Sequence, residues 1–313
     1  MSADPHPELV CMGEPMLELN AQPPDGAGRR LYLEGFGGDT SNAAIAAARQ
    51  GASVAYATAI GHDDAGERFL ALWRAEGVDL GAVKLDAARP TALYLVTHGA
   101  GGHQFHFYRT GSAASAYAPA DVPEAMIARA RMFYASGISQ GISDSAADAV
   151  LHAIAVARHN QVRVAFGTNY RPRLWPRARA AALIHAAARQ ADILLVSLED
   201  ATALAGTADA DAAADFYQRL GPAIVVVTLG AEGALLADGE RRLRLPALQG
   251  AVVDATGAGD AFAGAFLARL LAGDATAPAA RYASVAAGLK VRGYGAVAPI
   301  PRTPDVEAEL ARC

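Results

Sequence analysis

The sequence predicts an α/β fold in which helices cover both faces of a mostly parallel central sheet. Two observations lead to this prediction. Short runs of β-branched and leucine residues alternate with alanine-rich stretches, and most of these runs are apolar at every position. Strands that are apolar throughout are typical of a parallel sheet buried on both sides. A third observation, two segments that break the alternation, predicts a small second sheet, which we expect to act as a lid.

The regular part of the pattern gives five buried strands with helices between them. We predict strands at residues 52–59, 132–136, 162–166, 193–197 and 223–229. We predict helices at residues 41–50, 66–76, 145–159, 178–190 and 210–219. Ligands of such sheets bind at the carboxyl ends of the strands, so a site is expected in the segments that follow them.

Two segments do not fit this alternation. Residues 9–20 followed by 30–36 are typical of a strand pair, and residues 91–98 and 103–109 are typical of a β-hairpin whose turn lies at 99–102. The lid strands therefore come from about 13–36 and 90–112. We find no linker or internal repeat, so residues 1–313 are expected to form one domain.

Composition restricts the class of protein. Hydrophobic residues make up 52% of the 313 residues and charged residues 19%, which allows a sizeable core. A net charge of -5 argues against binding to nucleic acid or to an anionic membrane. The two cysteines, Cys11 and Cys313, exclude a disulfide framework. With no secretion signal in the opening residues, we expect a cytoplasmic protein.

The most informative run is Asp-Ala-Thr-Gly-Ala-Gly-Asp at 254–260, which leads into the apolar helical stretch 261–271. Glycines at a helix start expose backbone amides, so Gly257–Asp260 predicts an anion site. An aspartate beside an anion is unfavourable unless it takes a proton from an attacking hydroxyl, which makes Asp260 a candidate general base. The alternative is that Asp260 merely caps the helix, and the local pattern leaves both readings open.

Other phosphate-binding motifs do not match. No glycine loop ends in Gly-Lys followed by Ser or Thr, which excludes a Walker loop. The glycines also lack dinucleotide-binding spacing and come late in the chain.

The run at 254–260 resembles the C-terminal signature of the PfkB, or ribokinase-like, carbohydrate kinases, and Gly-Gly-Asp-Thr-Ser-Asn at 37–42 resembles their N-terminal signature. The resemblance covers essentially the whole chain. It implies a ribokinase-like three-layer α/β/α fold, ATP and Mg²⁺ as cofactors, Asp260 as the base and a nucleotide loop at 228–234. It also implies a monovalent cation, such as K⁺, near Asp254. The nucleotide-binding residues that it implies are Asn169, Ser197, Thr228, Gly230, Gly233, Gly257, Ala258 and Gly259.

Within the family the chain is most similar to the 2-keto-3-deoxygluconate kinases. The similarity is carried by Gly-Glu-Pro-Met at 13–16, Phe-Tyr-Arg at 107–109 and Asn-Tyr-Arg-Pro-Arg-Leu-Trp at 169–175. An arginine fork suits the carboxylate of an acid sugar. The resemblance implies that Arg171 binds this carboxylate and that the hydroxyl at carbon six faces Asp260. The substrate-binding residues that it implies are Gly38, Asn42, Tyr94, Phe107, Arg109, Arg171 and Asp260.

The residues themselves leave a plainer alternative for the arginines, a solvated surface pair at 171 and 173. The sequence also departs from the family pattern at Gly167, where these kinases usually have aspartate. The alternatives are a kinase for fructose, ribose or 2-keto-3-deoxygalactonate, and a sugar- or nucleotide-binding regulator without catalysis. Arg171 favours the acid sugar, because an unpaired pocket arginine is costly to desolvate.

The predicted lid would expose Phe105 and Phe107 on one hairpin strand, and exposed apolar surface often marks an interface. We therefore expect a homodimer through the lids, or a larger assembly of dimers. Light scattering that found only monomer would contradict this expectation.

Overall fold

The computed structural model describes residues 6–99 and 102–312. Residues 100 and 101 of the expected hairpin turn lie outside the described residues, as does Cys313. The strands are β1 (Leu9–Met12), β2 (Met16–Gln22), β3 (Leu31–Gly37), β4 (Val54–Gly61), β5 (Val83–Asp86), β6 (Ala92–Gly99), β7 (Gly102–Tyr108), β8 (Met132–Ser136), β9 (Arg163–Gly167), β10 (Ile193–Ser197), β11 (Ile224–Thr228), β12 (Ala234–Asp238) and β13 (Arg241–Leu245). The helices are α1 (Asp39–Arg49), α2 (Asp64–Ala75), α3 (Glu124–Ile127), α4 (Gly137–Gly141), α5 (Asp144–His159), α6 (Arg177–Ala188), α7 (Leu198–Ala205), α8 (Ala210–Leu220), α9 (Ala258–Leu271), α10 (Thr276–Lys290) and α11 (Thr303–Leu310).

Nine strands form the central sheet, in the order β13-β12-β11-β10-β9-β8-β1-β4-β5. The pairs from β11 through to β5 are parallel, and β12 and β13 add an antiparallel hairpin at one edge. The predicted fold class is therefore confirmed. The carboxyl ends of β8, β9, β10 and β11 lie next to one another, and this edge of the sheet is where a ligand site is expected.

Alternate side chains of the strands enter two different core layers. Leu9 and Cys11 of β1 pack in the layer that contains α1, α9 and α10, whereas Val10 and Met12 pack in the layer that contains α5, α6 and α8. All four side chains are at most 3% exposed. Burial on both faces explains why these strands are apolar at every position in the sequence.

Helices α1 and α9 pack backbone to backbone. A Cβ atom placed on Gly264, in the middle of α9, would lie 2.2 Å from the carbonyl oxygen of Ala43 and 2.6 Å from the Cβ of Ala46. Only glycine fits such an approach. The amino ends of α1 and α9 are therefore held at a fixed separation.

The small sheet has the order β3-β2-β6-β7, with β2 and β6 parallel and the two outer pairs antiparallel. The predicted strand at residues 9–20 is wrong as a single element, because β1 lies in the central sheet and β2 in the small one. The break falls at Gly13-Glu14-Pro15. A Cβ on Gly13 would lie 2.2 Å from Oγ1 of Thr40, and Pro15 has no amide proton for a ladder.

Several large apolar side chains on this small sheet are exposed, namely Leu31, Tyr32, Leu33, Phe107 and Tyr108. Their exposure is compatible with the expected contact between lids, which stays a prediction. Among the described helices, none is both long enough and apolar enough to cross a bilayer.

Candidate active site

Asp260 lies in the first turn of α9. The helix is capped by the backbone of Gly257, whose φ of 78° is left-handed, and no side chain among the described residues caps it. The Asp260 carboxylate instead accepts a hydrogen bond from Nδ2 of Asn42, at 2.8 Å. The capping alternative for Asp260 therefore does not hold, and its carboxylate joins the starts of α1 and α9.

The helix start leaves backbone donors open. The amide of Ala258 donates to the carbonyl of Ala255, at 3.2 Å. In the described part of the chain, no hydrogen bond engages the amides of Gly259 and Asp260. Free amides at a helix amino end attract anions, so this turn has the donors that a phosphoryl group requires.

The environment of Asp260 favours a proton acceptor that works near neutral pH. Burial, followed by the negative charge of Asp39, raises the pKa of Asp260 to about 7. Asn42, Arg171 and Lys290 oppose this shift without cancelling it. A general base is most effective when its pKa lies close to the working pH.

Asp39 is a buried carboxylate that the sequence analysis did not single out, although it lies inside the motif at 37–42. Its Oδ2 accepts hydrogen bonds from Oγ of Ser136, at 2.5 Å, and from Nδ2 of Asn169, at 2.7 Å. Oδ1 of Asp39 and Oδ1 of Asn42 are buried and have no donor among the described residues. Buried acceptors require donors, and the hydroxyl groups of a sugar would supply them. The sequence signal that could have identified Asp39 is a carboxylate within a run of small residues at a helix start.

Arg109 and Glu14 form a buried ion pair at the base of the small sheet. Nε of Arg109 donates to Oε2 of Glu14 at 2.8 Å, Nη2 donates to the same oxygen, and Ser112 donates to Oε1. Arg109 thus keeps Nη1 and the second N–H of Nη2 as donors, and its guanidinium lies 5.7 Å from the centre of the Phe107 ring. Gly38 is required here, because its φ is 106° and a Cβ would lie 2.3 Å from the carbonyl oxygen of Glu14.

Tyr94 lies on the face of the small sheet that is turned toward the cleft. Its hydroxyl donates to the carboxylate of Glu18, and a Cβ on Gly37 would lie 2.6 Å from this hydroxyl. Burial raises the pKa of Tyr94, and the charges of Glu18, Asp254 and Asp260 raise it further. The phenol therefore lies within electrostatic reach of Asp260, with one lone pair left to accept a hydrogen bond from a ligand.

The segment after β9 is held in place by Asp200, another residue that the sequence analysis did not assign. Its Oδ2 accepts from Oγ1 of Thr168, at 2.6 Å, and from the amide of Tyr170, at 3.0 Å. Asn169 between them has a left-handed φ of 33°. Asp200 therefore fixes the direction in which the following arginine leaves the strand.

Arg171 and Arg173 differ in their contacts. Nη1 of Arg171 donates to the carbonyl of Tyr170 at 3.1 Å, the side chain is exposed, and its charge reaches Asp260. No carboxylate in residues 6–99 and 102–312 forms an ion pair with Arg171. Arg173 is also exposed, but it donates to the carbonyl of Phe105 on β7, at 3.4 Å. Arg171 is thus the arginine available to an anionic ligand.

The predicted nucleotide-binding residues follow consecutive strands. Ser197 and Thr228 end β10 and β11 and are paired in register, and Asn169 follows β9. Two of the three also have structural contacts, since Asn169 donates to Asp39 and Oγ of Ser197 accepts from the amide of Asp200.

Gly230 and Gly233 enclose a short 3₁₀ turn after β11. Both have left-handed φ values, of 59° and 97°. A Cβ on Gly233 would lie 1.9 Å from the carbonyl oxygen of Leu245, so the packing of β13 suffices to explain this glycine. A Cβ on Gly230 would meet nothing, which leaves its surface open.

Comparison with known proteins assigns this chain to a family. Residues 7–303 match the pfkB family of carbohydrate kinases. The chain belongs to this family. A 2-dehydro-3-deoxygluconokinase from Thermoproteus tenax is 36% identical over 305 residues, 95% of this chain and 93% of the relative. A 2-dehydro-3-deoxygalactonokinase from Haloferax volcanii is 32% identical over 316 residues, 97% and 96% of the two chains.

A solved structure agrees with this assignment. The crystal structure of a fructokinase with bound ATP from Xylella fastidiosa has a TM-score of 0.88 and 25% identity, and the match covers 97% of this chain and 98% of that chain. The protein is therefore a ribokinase-like carbohydrate kinase, a phosphotransferase with an alcohol group as acceptor.

We predict that the kinase loses activity on the acid side of neutrality. The prediction takes Asp260 as the general base, whose carboxylate form would accept the proton, and its raised pKa of about 7 means that acidification protonates it early. Well below that pKa, kcat/KM should fall by about tenfold for each pH unit, and above pH 8 it should level off. A pH profile that stays flat down to the ordinary pKa of an aspartate would contradict the role of Asp260.

We also predict the result of placing aspartate at position 167, where the family usually has it. A Cβ on Gly167 would lie 2.9 Å from Oη of Tyr134, which fills that space. Gly167→Asp should therefore lower the free energy of unfolding by about 1–3 kcal/mol, as overpacking does. Tyr134→Phe in the same chain should recover most of this loss, and Tyr134→Phe by itself is the control. Unchanged thermal unfolding of Gly167→Asp would contradict the overlap.

Proposed function

We propose that this kinase transfers the γ-phosphoryl group of ATP to the hydroxyl at carbon six of 2-dehydro-3-deoxygluconate, also called 2-keto-3-deoxygluconate. The observation that carries the proposal is the position of Asp260. Its carboxylate lies beside two buried acceptor atoms without donors, Oδ1 of Asp39 and Oδ1 of Asn42, and in the first turn of a helix with free amides. A polyol hydroxyl and a phosphoryl group can thus meet there.

The sugar would occupy the side of the cleft formed by α1 and the small sheet. Its hydroxyl groups donate to Asp39 and Asn42, and Gly38, through its close contact with Glu14, holds the start of α1 in place. Its carboxylate binds Arg171, whose guanidinium forms no ion pair with a carboxylate among the described residues. Arg109 acts mainly through Glu14, and Tyr94 and Phe107 cover the sugar from the small sheet.

The nucleotide would occupy the other side, along the ends of β9, β10 and β11. Asn169, Ser197 and Thr228 border it, Gly230 and Gly233 turn beside the base, and the Gly257–Asp260 turn receives the γ-phosphate. The amides there stabilise the charge that develops during transfer. In the described ranges, no three acidic, histidine or cysteine side chains converge to hold a metal ion. Mg²⁺ would enter as the MgATP complex, held by phosphates and waters.

A coupled ADP-release assay tests the proposal. MgATP is offered with 2-dehydro-3-deoxygluconate, its galacto epimer, fructose and ribose in parallel. Strong turnover of the gluconate is the expected result. Turnover of neutral sugars in its place would overturn the assignment of Arg171 and leave the kinase activity intact.

The galacto epimer is the second candidate substrate, because the Haloferax volcanii relative is named for it. The two epimers carry the same carboxylate and the same terminal hydroxyl, so Arg171 and Asp260 treat them alike. The ratio of kcat/KM for the two acids decides between them.

A further inference from the structure

Lys290 is a completely buried lysine in a chain that almost avoids lysine. Of the 27 lysine and arginine residues, only Lys84 and Lys290 are lysines. Lys84 is exposed and pairs with Asp121 on the surface. Lys290 ends α10 and is 0% exposed. Burying an ammonium group is costly unless charges and hydrogen bonds compensate it, so its partners are informative.

The ammonium of Lys290 lies beneath the turn that precedes α9. Its Nζ donates to the carbonyl oxygen of Asp254, at 2.9 Å. Burial lowers the pKa of Lys290, while the carboxylates of Asp254, Asp260 and Glu18 oppose that shift. The buried cation is therefore in electrostatic contact with the candidate base and with the acid that opens the glycine turn.

The same turn is the place where the family resemblance implies a monovalent cation. All three oxygens of Asp254 already accept hydrogen bonds. Oδ1 accepts from the amide of Thr256 and Oδ2 from the amide of Gly295, each at 2.9 Å, and the carbonyl accepts from Lys290. A bound K⁺ needs a shell of oxygen atoms that replaces its hydration. Each of these oxygens keeps a second lone pair, but a K⁺ ion on the Asp254 carbonyl would lie beside the Lys290 ammonium, and two like charges at that separation repel. The residues present therefore do not fit a K⁺ ion.

We propose that the Lys290 ammonium takes the place of a bound monovalent cation under the anion-binding turn, so that phosphoryl transfer by this kinase requires no K⁺. The inference rests on the proposed use of Gly257–Asp260 as the anion site. A fixed cation there orders the turn, as the Nζ contact to Asp254 indicates, and adds positive charge near the transferred phosphoryl group. Because it is covalently attached, it does so at any salt composition.

The first experiment measures the wild-type enzyme in buffers whose only added monovalent cation is K⁺, Na⁺, Cs⁺ or Tris. We expect kcat and the KM for MgATP to change by less than about twofold across the series, as for general ionic-strength effects on exposed charges. Activation by K⁺ of tenfold or more over Tris would overturn the proposal.

The second experiment replaces the cation. Lys290→Met should lower kcat by roughly 100-fold, as loss of one electrostatic group at a transition state does. Lys290→Ala, which opens space, should regain part of the loss in K⁺ or ammonium but not in Tris. Lys84→Met, the other lysine of the chain, is the matched control and should behave as wild type. Wild-type kcat in Lys290→Met would overturn the proposal.

Nucleotide binding provides a readout that does not depend on the sugar. For the wild-type enzyme, calorimetry should give the same Kd for MgADP in K⁺ and in Tris buffers. For Lys290→Ala, the Kd for MgADP should be lower in K⁺ than in Tris. A purely structural lysine would lower the unfolding temperature without this cation dependence. If Lys290→Met and Lys290→Ala do not fold, Lys290→Arg decides: it should bind MgADP without response to K⁺, and a K⁺ response would overturn the proposal. The MgADP-binding measurements can be interpreted even if none of the four sugars is phosphorylated.

Discussion

Asp260→Asn should abolish nearly all turnover while leaving the fold intact. The amide cannot accept a proton from the sugar hydroxyl, and removal of a positioned general base costs about 10²–10⁴-fold in rate. Asparagine has the same shape, and its oxygen can still accept the hydrogen bond from Asn42. The coupled ADP-release assay measures kcat, and calorimetry should show that MgATP still binds.

The stability of this variant distinguishes lost chemistry from lost folding. Burial and Asp39 raise the pKa of Asp260, so at neutral pH its charged form opposes folding. This penalty is absent at low pH, where the group is protonated in both states, and is complete above the folded pKa. Asp260→Asn should therefore unfold at the same temperature as wild type or higher. The control Asp148→Asn, on the exposed face of α5, should change neither the unfolding temperature nor kcat. A folded Asp260→Asn enzyme with wild-type kcat would exclude Asp260 as the base.

Arg171→Ala should raise the KM for the acid sugar and change kcat little. A hydrogen bond to a charged group contributes about 1.5–3 kcal/mol, which corresponds to roughly a 10- to 150-fold increase in KM. Neutral sugars, if the kinase turns them over, should show no comparable loss. Arg171→Lys should recover only part of the affinity, because an ammonium lacks the planar pair of donors that matches a carboxylate.

Arg173→Ala is the matched control, since it removes the same side chain two positions further along. In the described part of the chain, Arg173 donates only to the carbonyl of Phe105, so its loss should leave the KM within about twofold, as expected for a single exposed contact. Equal effects of the two substitutions on KM would mean that neither arginine recognises the carboxylate selectively.

Most interior strands of the central sheet could be predicted from the sequence, with β1 as the exception, whereas β5, β12 and β13 at its edges could not. Strands β8 and β10 were predicted to the residue, because apolar runs between helices leave little choice. The edge strand β13 reads Arg-Arg-Leu-Arg-Leu and is largely exposed. Such a segment forms a strand only because it can make backbone hydrogen bonds with β12. The start of α9 was placed at 261, three residues late, because the glycines have low helix propensity and only the packing of the helix overrides it.

The residues of the candidate site also divide into those that the sequence predicts and those that it does not. Asp260 and the glycine turn were predicted because their motif is contiguous and its chemistry is local, and Asn42 was predicted through the family resemblance. Glu14, Asp39 and Asp200 were not assigned, since each acts through partners far away in the chain: Arg109, Asn169 and Thr168 respectively. No periodicity connects such pairs. The weak signal was a carboxylate in an otherwise apolar or small-residue stretch, which has to find a donor once it is buried.

The close approach of α1 and α9 at Gly264 means that the spacing of the reacting groups and the recognition of the substrate depend on different parts of the fold. In the proposed function, the distance between the acceptor hydroxyl and the phosphoryl donor depends on two backbones in contact, and almost any substitution there would push them apart. The rest of the acceptor molecule would then contact the small sheet and the segment after β9, which carry exposed side chains such as Phe107 and Arg171. A lineage built on this frame can therefore change which compound it phosphorylates while the reacting atoms keep their spacing.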